Sequence, residues 1–232
     1  MRRKYIIAIF FCILTVLSMI QIIIDGKYEI RHDPASITEH AKYLIYIQID
    51  DKTLFLLKDG KCIRQYTIAT GMSGFPSPLG CWKIVEKGDW GEGFGGRWMG
   101  LDVSWGVYGI HGTAYEESIG SSASHGCIRM FNEDVKELYS IVPVGTEVAI
   151  VNGSFGPFGR GFDEINSGDR GADVMAVQQK LKQLGYYEGE IDGIYEDDLK
   201  FALHRFQKDN GLEAENTITE KAWHAMGFRE FE

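Results

Sequence analysis

The chain has 232 residues, with 33 acidic against 24 basic side chains and a formal net charge of −9, which leaves no cationic footprint for nucleic acid. Hydrophobic residues at 44% and charged residues at 25% are globular usage and exclude wholesale disorder. Four cysteines, and 28 glycines without a three-residue period, exclude a disulfide scaffold and a collagen-like repeat.

The first element is apolar. Tyr5 to Ile24 reads YIIAIFFCILTVLSMIQIII and carries no charge. As a helix rising about 1.5 Å per residue it is roughly 30 Å long, which matches the hydrocarbon core of a bilayer. Arg2, Arg3 and Lys4 precede it and Asp25 follows it, so the positive-inside rule puts the N-terminus in the cytoplasm and the rest outside. No Ala-x-Ala pattern closes the apolar run, which favours an uncleaved anchor over a signal peptide. Residues 1–25 are therefore expected to be a cytoplasmic tip and a transmembrane helix. Residues 5–24 would meet the lipid bilayer, with Cys12 among them as a small apolar side chain. Residues 26–40 are polar and read as a stalk.

From Tyr43 the pattern turns to β. Tyr43, Ile45, Ile47 and Ile49 alternate with their neighbours. The runs 53–57 and 62–69 flank Asp59-Gly60, a strong two-residue hairpin signal. Gly71, Gly74, Pro76 and Pro78 mark a loop, and 80–87 reads as a further strand. The glycine-rich stretch 91–100 is expected to be irregular. Strands return at 107–111, 127–130 and 146–151. One short helix fits 133–140, with Asn132 as its N-cap and Val135, Leu138 and Tyr139 inward. The sum is a mostly antiparallel β-sandwich or barrel over 41–152.

Residues 153–168 hold five glycines and one proline and read as a linker. From 169 to 232 the apolar period is helical. Val174, Val177, Leu181 and Leu184 form one stripe; Leu199, Ala202, Leu203 and Phe206 a second; Ile218, Ala222, Trp223 and Met226 a third, with Thr219 as N-cap. Gly185 and Asn210-Gly211 supply stops. These spacings give a small three-helix domain. The acidic excess is mild over 41–152 (10 basic, 13 acidic) and larger over 153–232 (9 and 16). No run of one sign occurs, so these charges read as solvated surface.

The chemistry concentrates in Ser124-His125-Gly126-Cys127-Ile128-Arg129 and, upstream, Gly109-Ile110-His111-Gly112. A thiol becomes a strong nucleophile when an imidazole takes its proton. Glycines beside it let a substrate backbone approach and leave amides to meet an oxyanion. Arg129, two residues on, shares a strand face with Cys127 and could hold a carboxylate. Composition alone leaves two alternatives open: structural residues in a glycine-rich region, or a zinc site from His111, His125 and Cys127.

The blocks GIHGT (109–113) and SHGCIRM (124–130), with PSPLG (76–80) before them and VPVGTEVAIV (142–151) after, resemble the YkuD-type L,D-transpeptidase catalytic domain. The resemblance implies a cysteine enzyme of the bacterial cell wall that cross-links peptidoglycan stem peptides without a cofactor or metal. By position, Cys127 would be the nucleophile and His111 its base, oriented by the Gly112 carbonyl. The amides of His125, Gly126 and Cys127 would form the oxyanion hole. Ser124 and His125 would shape the pocket, and Arg129 would help hold the donor peptide. Residues 168–223, with Gly171-x-Asp173-Val174, Ile191-Asp192-Gly193 and Phe206-Gln207, resemble the peptidoglycan-binding three-helix domain. Hydrolysis through the same thiol, or a non-catalytic wall-binding role, are the rival functions. Cys62 and Cys81 could pair outside the membrane. Trp90, Trp98 and Trp105 among glycines leave a mobile lid or a packed loop open.

Overall fold

The computed structural model describes residues 43–153, 156–159 and 161–229. The expected anchor at 5–24 and the stalk at 26–40 lie outside these residues. Among the described residues no helix is long and apolar enough to cross a membrane.

The first half is a closed eight-stranded barrel of mixed pairing. Its strands are β1 (Tyr43–Gln48), β2 (Thr53–Lys58), β3 (Lys61–Gly71), β4 (Gly80–Gly88), β5 (Trp98–Leu101), β6 (Tyr108–His111), β8 (Ile128–Met130) and β9 (Glu147–Val151). Neighbours run β2-β1-β9-β4-β5-β6-β8-β3, and β3 closes onto β2. The short β7 (Ser122–Ser124) adds to β3 in parallel. The expectation of mostly antiparallel pairing holds, but β1–β9 and β6–β8 are parallel as well. These two pairings join residues far apart in sequence, so no local turn signal announces them.

Alternation fills the barrel. Ile45 and Ile47, Leu54 and Leu56, Val148 and Ile150 point inward and are buried, the period of two that strands impose. The β2–β3 hairpin turns on Asp59 (φ 48°) and Gly60 (φ 74°), both left-handed, as a primed two-residue turn requires. The stretch expected to be irregular, 91–100, runs into β5 at Trp98. All four of its residues are buried, so no polar alternation marks it. Trp98 and Trp105 are 1% and 5% exposed, and Trp90 stacks on Trp98 with centroids 4.1 Å apart; the tryptophans pack the segment.

The helix after the site, α1 (Asn132–Ile141), sends Val135 and Leu138 into the barrel core. Asn132 is not its N-cap. Phe131 occupies that place and its ring has no oxygen to cap with, while the Asn132 carboxamide accepts from the Thr113 amide instead. Lys87 Nζ donates to the carbonyls of Tyr139 and Val142 at the far end, 2.6 and 2.7 Å, where a cation suits the helix dipole.

The second half is a small helical domain of α2 (Ala172–Gln183), α3 (Asp197–Asp209) and α4 (Glu220–Met226). Their expected stripes are buried together, except Leu184, which is the C-cap of α2 and exposed. Thr219 stands at the N-cap of α4 without a side-chain hydrogen bond. The segment read as a linker feeds this core. Ile165 is buried and bridges to Ile218, and Phe158 and Phe162 pack on Trp223. Cys62 and Cys81 are both unpaired; they sit on β3 and β4, which are not neighbours in the barrel.

Candidate active site

Strand register assembles the site. In the parallel β6–β8 pair, Ile110 lies opposite Ile128 and His111 opposite Arg129. One step back sets Cys127 level with Gly109, on the face that His111 shares, since residues two apart face the same side. One strand spacing and two residues of rise separate the two Cα atoms by about 8 Å, within the combined reach of an imidazole and a thiol.

His111 is 5% exposed. Its Nδ1 lies 2.5 Å from the Gly112 carbonyl oxygen, a contact that needs Nδ1–H and leaves Nε2 as the basic nitrogen. The rings of Phe94 and Trp98 sit 4.8 and 5.6 Å away. Burial in that aromatic box pushes the imidazole down to about 4, and the Arg129 charge adds to the drop against the Gly112 hydrogen bond. Burial also pushes the Cys127 thiol up, opposed by a Gly109 backbone hydrogen bond and the Arg129 charge. Both groups are therefore neutral near pH 7. The Gly112 contact takes up Nδ1, so Nε2 is the nitrogen of His111 left for the thiol.

The turn carrying the thiol is tied by Ser124, which is fully buried. Its Oγ donates to the Cys127 carbonyl at 2.6 Å and accepts from the Gly126 amide at 3.0 Å. The Gly126 amide, one of the three expected to face an oxyanion, thus donates to Ser124 in the described chain. The amides of His125 and Cys127 meet no acceptor among the described residues. Gly126 has φ 111°, and a Cβ there would stand 2.6 Å from the Tyr108 ring, so glycine is demanded twice. His125 is exposed, with its ring edge-on to Phe75 at 4.8 Å. Arg129 Nη1 reaches the Ala123 carbonyl at a long 3.4 Å and pairs with no carboxylate among the described residues. Nor does any group of three His, Cys, Asp or Glu side chains among them have the arrangement to hold a metal ion; the zinc alternative has no built site there.

Two residues escaped the sequence reading. Asn132 Oδ1 accepts from the Thr113 amide at 2.9 Å and fits against Gly95 and Gly112, where a Cβ would stand 2.0 and 2.3 Å from it. It fixes the backbone immediately after His111. The Tyr108 ring backs Gly126. An asparagine before an acidic helix start reads as a cap, and an aromatic at a strand end reads as core, so neither carried a chemical signal.

Residues 42–150 match the family model described as "L,D-transpeptidase catalytic domain", and residues 170–226 the one described as "Putative peptidoglycan binding domain". The Bacillus subtilis (strain 168) protein named "Putative L,D-transpeptidase YkuD" is 42% identical over 119 residues, covering 51% of this chain and 69% of that protein. The Bacillus licheniformis protein of the same name is 42% identical over 109 residues, 47% of this chain; the chain spans 65% of its length, just under two thirds. A solved L,D-transpeptidase from Mycobacterium smegmatis is 24% identical over 47% of this chain and 58% of that chain, with a TM-score of 0.41.

Proposed function

The chain belongs to the L,D-transpeptidase family, and on that premise we propose that it cross-links peptidoglycan stem peptides through an acyl-enzyme on Cys127. What supports the reading is His111 at the end of β6 and Cys127 immediately before β8, its parallel neighbour, with Arg129 level with His111. Two neutral groups make the first step a proton transfer coupled to attack. Nε2 of His111 takes the thiol proton as sulfur adds to the carbonyl of the third stem residue. The tetrahedral oxyanion faces the free amides of His125 and Cys127. Collapse expels the terminal D-alanine as its amine, protonated by the imidazolium. A side-chain amine of a second stem then gives its proton to Nε2 and takes the acyl group, restoring the thiol. Arg129 is suited to the donor carboxylate by a two-pronged guanidinium contact.

The helical module, by its match to a peptidoglycan-binding model, would hold the enzyme on the wall and raise the local concentration of stems. The uncharged run 5–24 behind Arg2, Arg3 and Lys4 would anchor the chain in the membrane with both domains outside. The test is product analysis on a tetrapeptide stem whose own side-chain amine is acetylated, with and without an added amine acceptor. Cross-linked dimer appearing only with acceptor, and absent with Cys127→Ala, is the expected result. Tripeptide as the sole product under both conditions would make the enzyme a hydrolase.

A further inference from the structure

A cleft of about 540 Å³, lined in part by His125 two residues before Cys127, lies between the barrel and the helical module. The 74–79 loop, Tyr108 and His125 of the barrel form one wall. Residues 170–173, at the start of α2, and Trp223 form the other. We infer that this cleft binds a peptidoglycan stem peptide, with Arg170 holding a stem carboxylate, so that the helical module forms a wall of the substrate groove as well as a tether. The inference rests on the cell-wall reading above and names where its substrate lies.

Three observations carry it. The first is proximity. Tyr108 faces the cleft and backs Gly126, whose Cβ would stand 2.6 Å from its ring, and Gly126 is the residue before Cys127 in the chain. The second is rigidity. Ser104 Oγ donates to the Asp192 carbonyl at 2.7 Å, and a Cβ on Gly193 would stand 2.4 Å from the Trp105 ring. The 192–194 turn that makes these contacts is pinned by Gln178, whose amide nitrogen donates to Asp192 Oδ1 and the Ile194 carbonyl and whose oxygen accepts the Gly193 amide. Ala172, Met175 and Ile194 pack on the barrel core. A module docked this firmly keeps its wall in place. The third is chemistry. Arg170 is exposed and forms no ion pair among the described residues. Asp163 and Asp173 add carboxyls to the same lining, beside aromatic and proline surface. The cleft therefore suits a peptide bearing carboxylates and an amine, and a stem containing a diamino acid is such a peptide. A guanidinium contact to carboxylate is directional and among the stronger hydrogen bonds.

The experiment is calorimetric titration of a soluble disaccharide-tetrapeptide into the full chain carrying Cys127→Ala, which removes turnover. Adding Arg170→Glu is expected to weaken binding roughly tenfold or more, as for loss of a charged hydrogen bond, and Arg170→Lys to restore part of it. Equal affinity with and without Arg170→Glu overturns the inference. So does equal binding of the disaccharide lacking its peptide, or no binding at all. Arg170-dependent binding together with a wild-type chain that never forms an acyl-enzyme would leave the cleft standing and remove the transferase reading instead.

Discussion

The buried imidazole makes acid stability a direct probe of the site. His111 is held near 4 in the folded chain and titrates near 6.5 when unfolded. Its folded value is the lower one, so the unfolded state binds more protons as pH falls. The stability tied to neutral His111 is complete above about 6.5 and is lost between about 6.5 and 4. At pH 5 the difference amounts to about 2 kcal/mol, rising to about 3 kcal/mol below the folded value. His111→Asn keeps a donor for the Gly112 carbonyl and removes the titration. Urea unfolding of both proteins at pH 7.5 and pH 5 measures it. Wild type should lose about 2 kcal/mol more than the variant between the two conditions. An identical loss in both would refute the claim that the ring is buried and neutral.

Ser124→Ala strands the buried Gly126 amide and frees the Cys127 carbonyl; thermal unfolding should report a loss of about 1–3 kcal/mol, with slower acylation of the thiol. Asn132→Ala releases the Thr113 amide, and steady-state kinetics should show a fall in kcat with little change in KM, because the imidazole loses its support while substrate contacts remain. The rate of Cys127 alkylation by iodoacetamide should climb with pH to a midpoint above that of an ordinary thiol, since burial raises it. Arg129→Gln should move that midpoint higher still, because the lost charge had lowered it.

Local signals were the legible ones. Asp59-Gly60 announced its hairpin because only a primed turn joins two strands in two residues. The helical stripes from Val174 to Met226 announced the second core because each buries one face. The block around Cys127 was legible as a family resemblance, while its residue types alone left a structural and a zinc reading open. What depended on distant partners was hidden. The parallel β6–β8 pairing brings His111 and Cys127 to one face, yet nothing in either strand names its neighbour. The capture of the Gly126 amide by Ser124 depends on a turn that composition does not describe. Trp98 sat in a stretch read as irregular, with a lid and a packed loop both open; Gly109 clears space for its ring, a Cβ there standing 2.5 Å from it. Phe158 and Phe162 looked like linker because the glycines around them masked their packing on Trp223.

The most direct test of the account is the intact mass of the chain after incubation with a tetrapeptide stem whose side-chain amine is acetylated, with no other acceptor present. Wild type should gain the mass of the stem less its terminal D-alanine, and Cys127→Ala should gain nothing. An unmodified wild type that nonetheless turns over substrate, or the same adduct on both proteins, would show that the acyl group never rests on this sulfur.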